Sequence, residues 1–259
     1  MLIFIDKTYK KMKKTFKFMS LLAMGAALAL TACGKDDDNN NDSGNGGGNT
    51  GGGTGTETAG WVDLGLPSGL LWATCNLGAT SPEEFGDYYA WGETTTKSTY
   101  NWSTYKYCTV DAEGGLAMLT KYSTDSGHDF VGTPDNLTTL QAMDDAATQK
   151  LGSGARMPTA AEWRELIANT TAEWTQVNGV NGRKFTAPNG KSLFLPAAGC
   201  RLGSELYGAG SYGGYWSSSL VKGYPNDAWG FYFDSDYQYM DGYGRYYGFS
   251  VRAVRASQS

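Results

Sequence analysis

The clearest alternation of apolar and polar positions in the chain surrounds Phe231. Large aromatic residues alternate there with small or polar residues, and a strand points successive side chains to opposite sides. The two sets are Trp229, Phe231 and Phe233 on one side, and Gly230, Tyr232 and Asp234 on the other. The pattern predicts a strand over 228–234 with its aromatic side in the core and its Tyr and Asp side outward.

Other short segments also have strand-like composition. Residues 61–73 contain two turn signals and predict two short strands joined by a hairpin-like turn. Further strands are predicted over 85–92, 191–195 and 250–255. Short strands with many turns predict a mainly antiparallel sheet.

Two helices are predicted from apolar spacing and end signals. The first spans 136–151, where apolar residues recur every three or four positions before Gly152. Its stripe would be Leu140, Met143, Ala147 and Leu151. The second follows Pro158 and begins with the capping box Thr159–Glu162, after which Trp163, Leu166 and Ile167 form the buried stripe. Together with the strands, these helices predict an α+β fold.

The N-terminal segment reads as an export signal. Residues 1–32 carry six lysines and one aspartate, whereas the rest of the chain carries a net charge of −10. The apolar run at 18–30 has 13 residues, fewer than the roughly 20 that a membrane-spanning helix needs. A basic segment followed by a short apolar run is typical of a signal peptide. We therefore predict a signal peptide over 1–32, with the true start at Met12.

The end of the apolar run, Leu-Thr-Ala-Cys-Gly at 30–34, resembles the lipobox of bacterial lipoproteins. That resemblance implies that Cys33 is lipidated and becomes the first residue of the mature protein. The acidic run at 36–38 resembles the export tag of Bacteroidota-type surface lipoproteins, although a solvated linker would have the same composition. The expected location is the outer membrane, with a lipid anchor and exposure at the cell surface.

A Gly- and Asn-rich segment separates the lipidated cysteine from the folded part. Residues 33–60 contain no large apolar side chain and cannot bury enough surface to become ordered. We predict a flexible tether with an r.m.s. reach of about 30 Å. One domain is predicted over 61–255, because no second linker and no internal repeat interrupts it.

Composition excludes several classes of function. A net charge of −5 argues against nucleic-acid binding, and a single histidine, His128, excludes most histidine-based catalysis and histidine-rich metal sites. Asp144 and Asp145 could ligate calcium, although a pair of carboxylates on a helix surface is the simpler interpretation. We predict no catalytic residue, no metal site and no cofactor. Beyond Cys33, the cysteines Cys75, Cys108 and Cys200 allow one disulfide in three pairings, or none.

Longer motifs carry a family resemblance. Residues 61–76 (WVDLGLPSGLLWATCN) and 89–93 (YAWGE) resemble the Fibrobacter succinogenes major paralogous domain. Residues 156–163 (RMPTAAEW) resemble a motif of formylglycine-generating-enzyme-like domains, and 214–219 with 250–255 match the same group. The resemblance implies a C-type-lectin-like fold. Those enzymes work through a cysteine pair near the end of the chain, and this sequence has only Cys200 in that half.

The C-terminal stretch also resembles the variable region of proteins diversified by retroelements. Ten of the 17 tyrosines lie between Tyr207 and Tyr247. Tyrosine with Ser, Gly and Asp or Asn is typical of antibody paratopes, although a tyrosine-rich surface packed on itself would look similar. The resemblance implies ligand contacts at Tyr224, Asn226, Asp227, Gly230, Tyr232, Asp234, Asp236, Tyr237, Tyr239, Asp241, Tyr243, Tyr246, Tyr247 and Phe249.

The sequence favours a surface lipoprotein that binds a ligand without catalysis. The partner would be a protein, a glycan, or a phage or cell-surface component, with the N-terminal lipid in the membrane. Two alternatives stay open: a structural or adhesive surface component, and a degenerate enzyme of the formylglycine-generating type.

Cys33→Ser is expected to abolish lipidation, because the serine hydroxyl cannot replace the thiol to which the lipid is attached. Labelling of cells with a fatty-acid analogue should leave the variant unlabelled and release it from membrane fractions, while Cys75→Ser stays labelled. A labelled Cys33→Ser protein would contradict the lipobox interpretation.

Overall fold

The computed structural model describes residues 60–124, 127–152 and 154–257. Every described residue lies in the compact unit Thr54–Ser259. The predicted signal peptide, the predicted lipidation site Cys33 and the tether up to residue 59 lie outside the described residues.

The described chain has an α+β fold with mostly antiparallel sheets and two α-helices, as predicted. The strands are β1 (Trp61–Asp63), β2 (Leu70–Ala73), β3 (Cys108–Val110), β4 (Leu116–Leu119), β5 (Ala155–Arg156), β6 (Thr171–Val177), β7 (Val180–Thr186), β8 (Ser192–Pro196), β9 (Cys200–Leu202), β10 (Glu205–Tyr207), β11 (Gly213–Leu220), β12 (Asp227–Phe233), β13 (Gln238–Gly244) and β14 (Val254–Ala256). The helices are α1 (Ala146–Leu151) and α2 (Ala160–Asn169), with 3₁₀ turns at Trp102–Thr104 and Ala142–Asp144.

Three sheets build the framework. They have the strand orders β1-β2-β14-β5, β6-β7-β8 and β11-β12-β13, and the smaller pairs are β3-β4 and β9-β10. The predicted hairpin of β1 and β2 is confirmed, with Trp61 opposite Ala73 and Gly69 in the left-handed region at the turn. Strand β14, near the end of the described residues, pairs with both β2 and β5.

Helix α2 begins as the sequence predicts. The Thr159 hydroxyl oxygen accepts from the Glu162 amide at 3.2 Å, and a Glu162 carboxylate oxygen accepts from the Thr159 amide at 2.7 Å. Arg156 donates to both oxygens of the same carboxylate, at 2.7 and 2.6 Å. Trp163 and Leu166 are fully buried. The capping box and the apolar stripe therefore direct α2 onto the core.

The predicted helix over 136–151 is wrong in its first half. The backbone of residues 138–140 is extended and pairs with β11: the Leu140 amide donates to the Ser218 carbonyl and the Leu220 amide to the Thr138 carbonyl. Only α1 is α-helical, and Asp145 caps it through the Thr148 amide. Met143 and Leu151, placed in the buried stripe by the prediction, are 66% and 38% exposed. Pairing with a distant strand overrides the helical spacing here.

Two further strand predictions need correction. Residues 85–92 form a single bridge, between Tyr89 and Phe249, rather than a strand. Of residues 250–255, only Val254 and Arg255 lie in β14, because Ser250 bridges to Tyr215 of another sheet. The predicted strands over 191–195 and 228–234 correspond to β8 and β12 and are confirmed.

Thr159→Ala is expected to lower the free energy of unfolding by about 1 kcal/mol, because the Glu162 amide loses its acceptor. Thr159→Ser keeps that oxygen and is the matched control. Urea unfolding measures both, and equal midpoints for Thr159→Ala and the parent would show that the cap contributes nothing.

Candidate ligand-binding face

The register of β12 and β13 places tyrosines side by side on one surface of the β11-β12-β13 sheet. Tyr232 lies opposite Tyr239, and Asp241 lies opposite Gly230. Because side chains alternate along a strand, Tyr239, Asp241 and Tyr243 share one surface of β13. We use the name tyrosine face for these side chains together with those of the turn after β12 and of the residues that follow β13. Its members are Tyr232, Asp234, Asp236, Tyr237, Tyr239, Asp241, Tyr243, Tyr246 and Tyr247, whereas Asp227 has the parity of Phe231 and lies at the end of β12 on the other surface.

Aromatic contacts hold the rings of the tyrosine face in fixed positions. Tyr232 is stacked between Tyr212 and Tyr239, with ring centroids at 5.4 and 5.0 Å. Tyr243 packs against Phe249, with ring centroids at 5.0 Å. Burial raises the pKa of all four of these tyrosines, so their hydroxyls stay protonated near neutral pH.

Glycines make room for two rings that cover the sheet. A Cβ on Gly230 would lie 2.8 Å from the Tyr243 ring and 3.0 Å from the Phe249 ring, and a Cβ on Gly214 would lie 3.1 Å from Phe249. Phe249 therefore fills the sheet surface beside Trp216, with ring centroids at 4.5 Å. A side chain at Gly230 would displace that aromatic layer.

The turn between β12 and β13 projects beyond the sheet. One Asp234 carboxylate oxygen accepts from the amides of Asp236 and Tyr237, and the other accepts from the Tyr232 hydroxyl. Arg183 of β7 supports the turn from below by donating to the Ser235 carbonyl at 3.1 Å and to the Gln238 side chain at 3.0 Å. This leaves Tyr237 58% exposed at the tip.

The structure separates the predicted contact residues into three groups by exposure. Exposed are Tyr224, Asp236, Tyr237 and Tyr239. Half-buried are Asn226, Asp227, Tyr232, Asp234, Asp241, Tyr243, Tyr246 and Tyr247. Buried are Gly230 and Phe249. The prediction that Gly230 and Phe249 point outward to a ligand is corrected, because rings and backbone from other segments cover them.

The opposite surface of the sheet is core, as the alternation predicts. Phe231 and Phe233 are fully buried. Phe231 packs against Trp163 of α2 at 5.0 Å and against Phe185 of β7 at 5.9 Å between centroids. Trp229, predicted to be in the core as well, is only half-buried and lies beneath the Arg164 guanidinium at 4.7 Å. The sheet thus has one surface that is core around Phe231 and Phe233, and another that is core around Trp216 and Phe249 and exposed at Tyr239.

Carboxylates give the tyrosine face a negative character. Burial raises the pKa of Asp227 to about 6, the nearby Asp241 carboxylate adds to the rise, and Arg245 opposes it. Burial also raises the pKa of Asp241, against a hydrogen bond from the Gly242 amide. Two nearby cations, Arg183 and Arg245, are buried at 7% and 0% exposure, whereas Lys222, in the turn between β11 and β12, is exposed. Protonation of Asp227 near pH 6 would therefore reduce the negative charge near Asp241.

Three residues that shape the face escape the sequence prediction. Tyr212 stacks on Tyr232, Trp102 packs on Tyr246 at 4.7 Å, and Arg183 supports the turn. All three belong to segments outside the hairpin. Only the tyrosine enrichment from 207 onward gives a signal for one of them, Tyr212.

The aspartates considered as calcium ligands are not on a helix surface. Asp144 and Asp145 are buried, at 2% and 3% exposure. Asp144 accepts from the hydroxyls of Tyr107 and Tyr122 and from Lys121 at 2.6 Å. Burial alone would raise its pKa, but these three donors hold the pKa below the ordinary value. Asp144 is therefore an internal anchor for the surrounding loops.

The remaining candidate groups have structural environments. Cys75, Cys108 and Cys200 are free thiols, so none of the three possible disulfides is formed. His128 stacks on Phe130 at 5.0 Å and lies near Tyr224. Within the described part of the chain, no group of three or more His, Cys, Asp or Glu is placed to hold a metal ion. None of the described helices is long and apolar enough to cross a membrane.

Comparison with known proteins gives one match. A family model described as a domain of unknown function, DUF8237, matches residues 173–254. These residues run from within β6 to the first residue of β14 and contain the complete tyrosine face. Neither the curated proteins nor the solved structures contain a significant match.

Phe231→Ala is expected to lower the free energy of unfolding by about 3 to 5 kcal/mol, because a fully buried ring leaves a cavity. Tyr237→Ala removes an exposed ring and should change it by about 0.5 kcal/mol or less. Urea unfolding compares the two variants. A Phe231→Ala protein as stable as Tyr237→Ala would contradict the assignment of core and tyrosine surfaces.

Asp227→Asn is expected to stabilise the protein more at pH 7.5 than at pH 5. The folded state raises the pKa of Asp227 to about 6, from an ordinary value of 3.8. The folded state therefore binds this proton more tightly than the unfolded state, and that contribution is lost as the pH rises through 6.

Thermal unfolding of the parent and Asp227→Asn between pH 4.5 and 8 measures the difference. Asp236→Asn, which removes an exposed carboxylate of the turn, is the control. A difference between parent and Asp227→Asn that does not change with pH would contradict the raised pKa.

Proposed function

We propose that this protein captures a ligand without catalysis through the tyrosine face. The observation that carries the proposal is the exposure of Tyr237 and Tyr239 beside Asp241, on a sheet surface whose opposite surface already supplies the core. Tyrosine offers large, rigid contact area at low entropic cost, and paratopes use it for that reason. The stacked rings are already ordered, so binding would lose little side-chain freedom.

The proposed location is the outer surface of the outer membrane. The support is the lipobox-like segment around Cys33, the preceding signal-like segment and the acidic run that follows. A Gly- and Asn-rich tether of this length would let the domain reach beyond the lipid headgroups.

We further propose that the α+β domain has a C-type-lectin-like fold. The short antiparallel strands, the two helices and the long loops agree with the fold that the motif resemblance implies. Diversification by a retroelement is part of the same proposal. It is supported by the separation of most predicted variable positions on the tyrosine face from the buried Phe231 and Phe233.

A non-catalytic role also agrees with the environment of Cys200. Its thiol is buried, and the sulfur lies 3.1 Å from the Tyr212 hydroxyl. Burial raises the pKa of this thiol, which disfavours the thiolate that nucleophilic cysteine chemistry requires.

The test compares the parent with the double variant Tyr237→Ala/Tyr239→Ala. Both full-length proteins carry Cys33→Ser so that no lipid contributes. The probes are a random heptapeptide library displayed on phage and a printed glycan array. Tyrosine anchors often contribute 2 kcal/mol or more to binding, so probes bound by the parent should lose about 30-fold in affinity to the variant.

Val110→Ala/Met118→Ala is the matched control, because it truncates two exposed side chains outside the tyrosine face. It should retain the binding of the parent. If the parent and Tyr237→Ala/Tyr239→Ala bind the same probes equally, the tyrosine face is not the ligand-binding surface.

A further inference from the structure

The carboxylates of the tyrosine face form no ion pair. Asp234, Asp236 and Asp241 lie outside the ion pairs of the described part of the chain, which use Glu93, Asp144 and Glu162, although the buried Arg183 interacts electrostatically with Asp234 and Asp236. One carboxylate oxygen of Asp234 is already occupied, because it accepts from the amides of Asp236 and Tyr237 in the turn after β12. Asp241 accepts at one oxygen from the Gly242 amide, and no described hydrogen bond reaches its other oxygen. This second oxygen of Asp241, between Tyr239 and Tyr243 on β13, can therefore still accept a hydrogen bond.

Tyrosine rings beside these carboxylates suit a cation. The negative faces of aromatic rings attract guanidinium and ammonium groups within about 6 Å of the ring centroid. This protein already uses such pairs: Arg255 lies 4.3 Å from the Trp61 ring centroid and Arg201 lies 5.3 Å from that of Tyr88. Tyr239 and Asp241, two positions apart on β13, could contact the same arginine or lysine side chain of a partner.

The shape of the surface favours an extended segment over a single sugar ring. The seven residues of β13 span about 24 Å at the usual rise of a strand. Along this length Tyr237 and Tyr239 are exposed, and Asp241 and Tyr243 follow as half-buried side chains on the same surface. Tyr232, stacked between two other rings, presents no free ring face on which a sugar could stack.

We propose that the partner of the tyrosine face is a basic segment of another protein, recognised through arginine or lysine side chains. This inference rests on the proposed function and names the chemical class of its ligand. The carboxylates attract the segment, and the tyrosines supply cation–π contacts and apolar area. Arg183 and Arg245 lie buried beneath the surface, so their guanidinium groups do not occupy the position of the partner's basic side chains.

The test uses the same heptapeptide phage library, selected on the full-length Cys33→Ser protein at 50 mM NaCl. Peptides enriched on the parent should be rich in arginine and lysine. Synthetic versions should bind at least tenfold more weakly when citrulline replaces arginine. Their affinity should also fall several-fold between 50 and 300 mM NaCl, because salt screens accessible charges.

Two variants locate the binding. Asp241→Asn should weaken the selected peptides about tenfold. Glu173→Gln removes an equal charge from an exposed position on β6, away from the tyrosine face, and should leave their affinity unchanged. Equal losses from both variants would indicate attraction by net charge alone and would overturn the inference.

Other outcomes separate this inference from the proposed function. If the selection enriches neutral or acidic peptides, the partner is not a basic segment, although the tyrosine face would still be a binding surface. The same holds if only neutral glycans distinguish the parent from Tyr237→Ala/Tyr239→Ala. Loss of all discrimination between parent and Tyr237→Ala/Tyr239→Ala would overturn both.

Discussion

Two buried guanidinium groups hold the long loops of the described domain on its sheets. Arg245 and Arg252 are fully buried, and neither forms an ion pair within the described residues. Oxygen atoms of the protein accept their hydrogen bonds instead. Arg252 donates to the carbonyls of Ala73 and Phe194 and to the Asn76 side chain. Arg245 donates to the Tyr105 hydroxyl and to three carbonyls, those of Lys121, Tyr122 and Pro225. An unsatisfied buried charge costs several kcal/mol, so these loops must stay ordered around each cation.

The same arrangement orders the tyrosine face. Arg245 directly follows β13 and directly precedes Tyr246 and Tyr247, so its anchoring determines where these rings lie. At the other end of the hairpin, Arg183 fixes the turn that carries Tyr237. Both cations act from inside the domain. The outer surface is left with carboxylates and aromatic rings, which explains how a negatively charged and already ordered surface arises.

Several features of the fold could be predicted because they depend on neighbouring residues. The capping box at Thr159 closes within one turn of α2, and the alternation around Phe231 follows from the geometry of a single strand. The failed helix over 136–151 shows the limit. Its apolar spacing is helical, but the backbone near Leu140 pairs with β11, about eighty residues later in the chain. No local pattern contains that partner.

The candidate site divides in the same way. The sequence by itself determined that Tyr232 and Phe231 lie on opposite surfaces, because strand geometry alternates side chains regardless of their surroundings. Only the tertiary structure decided which outward positions are covered. Phe249 enters the core because Gly214 and Gly230 leave space for its ring, and Tyr232 is half-buried because Tyr212 stacks on it. Exposure depends on segments that meet only after folding, and alternation along one strand carries no information about them.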